Sequence, residues 1–536
     1  TGYRYSTGWA KDQRVYFAID FSQPFATPPV LADSTSVLQP DIGQSHQGTF
    51  LRGQFDFNSS ELTVKVGLST ANVAGALAAL DAQVESDFAT VRQKAEAAWL
   101  KELNKIQVKS EDEALKRTFY TALYRTCLAP VVLEDALGQY KGVDGEIHTA
   151  EAYTRYGLFS LWDTFRATNP LHTITQAERV NDIIRSMLAH YKEYGLLPVW
   201  DLLANETNTM TGYHAVPVLV DAYLKGFRDY DVELAFEAVR KSAQQNIRAT
   251  DHYRKYQYIP YDKAGQSVTR TLEYAYDDWC IAQMAKAMGK DEAYETFSAR
   301  AAYYKNMFDE STGFMRAKMA DGSWKSPFDP QYSNHDFSTS EYTEGNAWQH
   351  SWFVPHDVQT LIDLHGGPTQ FVQKLDSLFS ISSEIRGENK SVDISGLIGQ
   401  YAHGNEPSHH IAYLYNYANR PDKAQAQLKN IMKTQYNDTP HGLCGNEDCG
   451  QMSAWYVFSS IGLYPMNPAS GIYDLGICLF DEVQIHLPNG KVFQIDNQNP
   501  TAERLTGLRL NGESISDRRL SHAQLMQGGN LSFDAQ

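Results

Sequence analysis

The sequence predicts a multidomain α-plus-β fold in which a helical toroid is flanked by β segments at both ends of the chain. Three observations carry this expectation. Apolar and polar residues alternate near both termini, with turn residues between the runs. Between about residues 112 and 465 the apolar spacing becomes helical and repeats a helix–break–helix plan four times. The breaks fall near residues 226, 289, 366 and 419, unevenly spaced because long polar loops separate one hairpin from the next. A solenoid keeps its period, whereas a toroid carries loops of varied length on one rim, so the toroid is preferred.

Taken in order, RVYFAIDFS, TFLRGQFDF and LTVKVGLS within residues 1–83 read as strands. Three strands do not make a stable domain alone. They are therefore expected to pack on another element or to be the end of a longer β-sandwich, apparently truncated, built from these strands and those at the other end of the chain. VESDFATVRQKAEAAWLKELNKI, beginning at Val84, has helical spacing and mixed charge and is assigned to a linker helix region, 84–111. The hairpin region is placed at 112–470. Its members are YHAVPVLVDAYLKGFRDYDVELAFEAVRKSA, YDDWCIAQMAKAMGKDEAYETFSARAAYYKNMF, VPHDVQTLIDLHGGPTQFVQKLDSLF and SHHIAYLYNYANRPDKAQAQLKNIMKTQY. Short alternating strands return in YDLGICLF, VQIHLP, KVFQID and NLSFDAQ, over 471–536.

A net charge of −17 disfavours nucleic acid and anionic membrane as partners, since both require a basic face. Five cysteines without a CxxC pair disfavour a zinc site or a disulfide framework. No run of about 18 apolar residues is present, so no transmembrane helix is expected. The sequence begins at Thr1, without an initiator Met or a signal peptide. Tyrosine and tryptophan, 32 and 9 residues, suit sugar binding, because a pyranose offers an apolar C–H face ringed by hydroxyls.

Acids, amides and tryptophans recur between the hairpins. GLFSLWDTFR carries Trp162 and Asp163; LPVWDLLANETNTMTGYHA carries Trp200, Glu206 and His214; LEYAYDDWC carries Asp277 and Asp278. EYTEGNAWQHSWFVPHD carries Glu344 and Trp348, YAHGNEPSHH carries Asn405, Glu406, His409 and His410, and GNEDCGQMSAW carries Glu447 and Asp448 between glycines. Each has a structural alternative. Asp163 can be a helix cap, Asp277 and Asp278 a salt-bridged turn, His409 and His410 satisfied core histidines, and the Glu447–Asp448 turn a cap for the helix at Ser453. Carboxylates and aromatics together, without a nucleophile elbow, P-loop or dinucleotide fingerprint, point to glycosidic chemistry, which needs one carboxylic acid and one carboxylate. Asn405, Glu406, Glu447 and Asp448 are hard oxygen donors of the kind calcium takes.

The motifs GLFSLWDTFR, LEYAYDDWC, TEGNAWQHSWFVPHD, GNEPSHHIAYLYNY and GNEDCGQMSAWYVFSSIGLYP, in this order, resemble glycoside hydrolase family 92, the calcium-dependent exo-α-mannosidases, over roughly residues 84–536. The resemblance implies an N-terminal β-sandwich joined to an (α/α)6 catalytic domain and hydrolysis with inversion. It implies Glu344 as general acid and Asp448 as the base that activates water. Asn405 and Glu406 would hold Ca2+. Trp162 and Asp163 would contact the terminal mannose, with Trp200, Asp277, Trp348 and Glu447 as further substrate-binding candidates. Many members have Asp where this chain has Glu447. Members that prefer α-1,2 linkages carry a His-Glu pair where Tyr401-Ala402 stands here, which disfavours strict α-1,2 preference. The family context implies a mannose-containing glycan as substrate and a periplasmic or secreted location. Two other readings compete: another (α/α) toroid glycosidase or lyase, and a catalytically silent glycan-binding protein.

Overall fold

Four hairpin breaks organise the helical region. Ala215–Leu224 turns at Gly226 into Val232–Gln244, and Ser267–Ala287 turns at Gly289 into Asp291–Arg300. Val358–Leu364 turns at Gly366 and Gly367 into Pro368–Ser380, and Leu414–Tyr417 turns at Asn419 into Pro421–Gln435. All five break residues named take positive φ, the conformation a side chain disfavours and glycine or asparagine tolerates. Helices Ala215–Leu224 and Ser267–Ala287 are buried on nearly every side, while Val232–Gln244 and Pro421–Gln435 bury one stripe. An all-round apolar helix belongs inside and an amphipathic one outside. Before the first expected hairpin, Thr168–Thr175 and Ala177–Tyr194 add a further helix pair.

The computed structural model describes residues 1–27, 29–33, 36–38, 45–83, 87–502 and 505–535. The chain divides into two compact units. One comprises Thr1–Ala98, Leu133–Lys141 and Gly145–Ala152; the other comprises Trp99–Val132, Gly142–Asp144 and Tyr153–Gln536.

In the first unit, strands Gly2–Ser6, Gln13–Phe21 and Val64–Ser69 form an antiparallel sheet in that order, against which helix Val73–Gln83 packs. Val30–Asp33, Ser36–Leu38 and Arg52–Gln54 form a second small sheet. Within TFLRGQFDF only Arg52–Gln54 is strand.

The second unit ends in a six-stranded sheet. Its order is Glu513–Ser514, Leu505–Leu510, Gly529–Ala535, Val492–Asn497, Glu482–His486, Ile106–Lys109. Val492–Asn497 and Gly529–Ala535 run parallel and the other pairs antiparallel. Among the described residues, strands from 1–69 pair only with one another. One expectation changes here. The linker helix observed is Phe88–Leu103, and Ile106–Lys109 is instead an edge strand whose Ile106 is fully buried. Ile-Gln-Val-Lys alternates with β-branched residues, which favours the sheet over another helical turn. Val84 and Gln536 lie outside the described residues.

Candidate active site

Helix Gln451–Ser460 is buried over its whole length and begins immediately after the loop of Glu447 and Asp448. It ends at Ser460, earlier than Gly462 and Pro465 suggest, because Ile461–Tyr464 pairs as a strand with Ile472–Cys478. In the loop before it, Asp448, Cys449 and Gly450 all take positive φ, at 49°, 55° and 93°. A side chain in this region costs of order 1 kcal/mol or more, so neighbouring contacts must hold it there. Gln451 is one such contact. Its Oε1 accepts hydrogen bonds from the Ala167 and Thr168 amides at 2.9 and 3.2 Å, and its Nε2 reaches His409 Nδ1 at 3.1 Å. One amide thus ties together the Asp163, Glu406 and Asp448 segments. The last two also meet at a glycine pair: a Cβ on Gly445 would lie 2.5 Å from the Gly404 carbonyl oxygen.

These contacts bring together one carboxylate oxygen each from Asp163, Glu406 and Asp448, all within 4.8 Å of one another. Glu406 is fully buried, and neither of its oxygens receives a hydrogen bond from a protein donor. Burial and the neighbouring charges of Asp448 and Asp163 push its carboxyl far above the usual range. Asp163 is pushed to about 8 by burial and by Asp448, against the Ser160 hydroxyl that donates to it. It caps no helix. Asp448 is also raised, by burial.

Glu344 stands beside this cluster in a second group, with His335 and Asp393, whose ligating atoms again lie within 4.8 Å. Its backbone has φ +47° and is pinned by neighbours: the Asn405 amide donates to the Glu344 carbonyl at 2.9 Å, and the Thr343 N–H donates to Thr269 Oγ1 at 3.0 Å. Burial, then Asp393, Asp163 and Asp448, push the Glu344 carboxyl to about 8. A carboxyl raised in this way keeps its proton at neutral pH, the state a general acid requires.

A third network braces the Asp163 turn. The Trp162 indole N–H donates to Glu273 Oε1 at 2.7 Å, and the other oxygen of Glu273 lies 3.3 Å from His214 Nε2. His214 Nδ1 in turn lies 2.8 Å from Asp277 Oδ1. Burial opposes charge on His214, but Asp277 and Glu273 outweigh it and raise the imidazole to about 9.

Several expected residues have other duties. LEYAYDDWC lies inside helix Ser267–Ala287 and is no loop. Asp277 there serves His214 and the Tyr213 amide, and Asp278 is salt-bridged to Arg300 at 2.7 Å, so neither carboxylate is left open to a ligand. Glu447 accepts from the Ser453 amide and hydroxyl at 3.1 and 2.8 Å and lies 3.7 Å from Arg125, so its carboxylate is committed to the first turn of the following helix, whose N-cap residue is Gly450. Trp348 is packed edge-on to Phe314 with Lys374 over its ring, in the core. His409 and His410 are core histidines, their Nε2 atoms on the His403 and Trp352 carbonyls; His409 Nδ1 also meets Gln451, whereas His410 Nδ1 has no hydrogen-bond partner among the described residues. Asn405 donates its Nδ2 to the Glu344 carbonyl, which ties the Glu406 loop to the Glu344 backbone. Trp200 remains at the site's edge, half-buried and paired through the backbone with Ser160.

Comparison with known proteins sets this geometry in context. The family model described as the glycosyl hydrolase family 92 catalytic domain matches residues 75–536. The chain belongs to glycosyl hydrolase family 92. This family 92 hydrolase is similar to a family GH92 α-mannosidase from Bacteroides thetaiotaomicron solved with mannoimidazole, with 37% identity and a TM-score of 0.94, covering 100% of this chain and 72% of that one. It is also similar to a family GH92 inverting mannosidase from Bacteroides thetaiotaomicron VPI-5482, with 32% identity and a TM-score of 0.87, covering 99% and 74%. A protein of Arthroderma benhamiae named an uncharacterized secreted glycosidase is 29% identical over 91% of this chain; the chain spans 62% of that relative's length. No helix among the described residues is long and apolar enough to cross a membrane.

In this family 92 hydrolase the donor set around Glu406 fits a hard cation. Three clustered carboxylates, one of them buried with both oxygens unpartnered, are chemically incomplete without a positive charge. Sequence reasoning missed Asp393, His335 and Glu273. Asp393 and His335 sit in polar loops without a motif around them, and Glu273 lies mid-helix, where only its spacing of four from Asp277 marks it.

Proposed function

We propose that this chain is a calcium-dependent, inverting exo-α-mannosidase that removes terminal α-mannose from mannosides, N-glycans or mannan. The observation that carries this reading is the Asp163–Glu406–Asp448 cluster, in which both Glu406 oxygens lack a protein donor, with the buried Glu344 carboxyl beside it. In the mechanism proposed, Glu344 donates its proton to the glycosidic oxygen as the C1–O bond breaks. Asp448 removes a proton from the water whose oxygen bonds to C1 from the opposite face. Inversion needs the two carboxyl groups roughly 6.5–9.5 Å apart with that water between them. Asp163 and Glu406 would hold the cation, and Trp162 keeps Asp163 in place. Bound calcium would neutralise the cluster and offer a Lewis-acid contact to vicinal sugar hydroxyls. The similarity to the two Bacteroides mannosidases, one of them inverting, supports both the mannoside substrate and inversion.

At larger scale, we assign the buried and amphipathic helix pairs within 112–470 to an (α/α)6 toroid, and the strands of 1–83 and 471–536 to sandwich-type β regions. A periplasmic or secreted location accords with the name of the Arthroderma relative. Proton NMR of aryl α-mannoside hydrolysis tests the activity. β-Mannose as first product, lost on exhaustive chelation and restored by calcium, is expected. α-Mannose as first product overturns inversion, and undiminished turnover without metal overturns the calcium role.

A further inference from the structure

Glu273 is a buried carboxylate that no step above uses, yet both of its oxygens are engaged by groups that matter to the site. Oε1 accepts the Trp162 indole N–H at 2.7 Å and lies 3.7 Å from the Arg166 guanidinium. Trp162 and Arg166 flank Asp163 in sequence, and Arg166 Nε donates back to the Trp162 carbonyl at 3.0 Å. A single oxygen therefore brackets the turn that carries Asp163. That turn needs a bracket, because Leu161–Thr164 is four residues long and has no side-chain cap.

The second oxygen fixes Glu273 itself. Oε2 accepts the Thr211 hydroxyl and faces His214 Nε2 at 3.3 Å. His214 Nδ1 lies 2.8 Å from Asp277 Oδ1, and Asp277 Oδ2 accepts the Tyr213 amide at 2.8 Å. Glu273 and Asp277 are four residues apart on helix Ser267–Ala287 and so share a face. One imidazole bridges both carboxylates, with its ring stacked on Phe165 at 4.2 Å. Arg166 and His214 thus face the two buried acids of this network, Arg166 at 3.7 Å from Glu273 and His214 at 2.8 Å from Asp277.

We propose that Glu273, oriented by His214 and Asp277, is a positioning residue that fixes the Trp162–Asp163 turn against the Glu406–Asp448 carboxylates, so that cation and sugar affinity depend on a side chain that touches neither. For its sugar readout the inference rests on the mannosidase reading; for its cation readout it rests on geometry alone.

The test is a double-mutant cycle of Glu273→Gln and Trp162→Phe, which measures KM for an aryl α-mannoside, calcium affinity by calorimetry, and Tm. Glu273→Gln keeps the shape and removes the charge. Outer supports of a metal site typically lower affinity 10- to 100-fold when changed, so Glu273→Gln is expected to raise KM and the calcium Kd about tenfold, with a smaller change in kcat. In the Trp162→Phe background the same change is expected to have little further effect, since Glu273 acts through Trp162. A lower Tm with KM and calcium affinity unchanged, or effects that multiply in the double variant, overturns the proposal. Where Glu273→Gln does not fold, Thr211→Val removes only the hydroxyl on Oε2. A weaker shift in the same direction is then expected, and none overturns it. If wild-type protein does not cleave α-mannosides, the mannosidase reading falls and the calcium titration alone decides the role of Glu273.

Discussion

Glu344 and Glu406 are both buried acids, but their surroundings separate their duties. Glu344, raised to about 8 by burial and by Asp393, Asp163 and Asp448, keeps its proton at neutral pH. As pH rises through that value the acid is lost, so kcat/KM of the calcium-saturated enzyme is expected to fall on a basic limb. Because a bound cation cancels the contributions of Asp163 and Asp448, that limb is expected to lie below pH 8; a pH–rate profile measures it. Glu344→Gln is expected to lower turnover of mannobiose by about 10²–10⁴-fold, and much less for an aryl mannoside whose leaving group needs no proton. Glu406 has no protein donor on either oxygen and is repelled by two neighbours. Glu406→Gln is therefore expected to leave the Tm of metal-free protein unchanged or higher while abolishing calcium binding by calorimetry. At this scale much is legible in the sequence. Glycines around Glu447 and Asp448 mark the loop, but only the folded loop divides the labour, with Glu447 on Ser453 and Asp448 in the cluster. Asp277 misleads because its chemistry suits a sugar hydroxyl, and nothing local to LEYAYDDWC announces the imidazole that occupies it.

The elements of the fold were legible where local geometry decides them. Hairpin breaks at Gly226, Gly289, Gly366 and Asn419 follow from residues that accept positive φ. Ile106–Lys109 was less so, because its pairing partner, Glu482–His486, lies far along the sequence and no local pattern names it. The contact between Gly404 and Gly445 is likewise a property of two elements rather than one. Gly445→Ala puts a methyl group 2.5 Å from a carbonyl oxygen and forces the Glu406 and Asp448 loops apart. The variant is expected to lose about 1–3 kcal/mol in denaturant unfolding and to bind calcium weakly even where it remains folded.

For the whole molecule, the buried acids make stability depend on pH and on metal together. Asp163 and Glu344 at about 8 and Glu447 at about 7 bind protons in the folded state that the unfolded chain releases near pH 4. Their stabilisation is complete below the unfolded values and is lost as pH rises through the folded ones. Metal-free protein is thus expected to show a Tm that falls between about pH 5 and 8, contributions from other groups aside, and calcium is expected to flatten this slope. At a hundredfold excess over Kd the cation adds about 2.7 kcal/mol, which a thermal melt resolves. The Gln451 amide, which links Ala167 and Thr168 to His409, carries one more consequence. The clustered carboxylates are delivered from residues 163, 406 and 448, and the clasp that gathers their segments is residue 451. Closing such long loops is opposed by chain entropy until the helices between them have packed. During synthesis, then, the carboxylate cluster is not expected to assemble until the chain beyond residue 451 has left the ribosome, and a cation held there would arrive as the last part of a finished scaffold, not as the seed around which it folds.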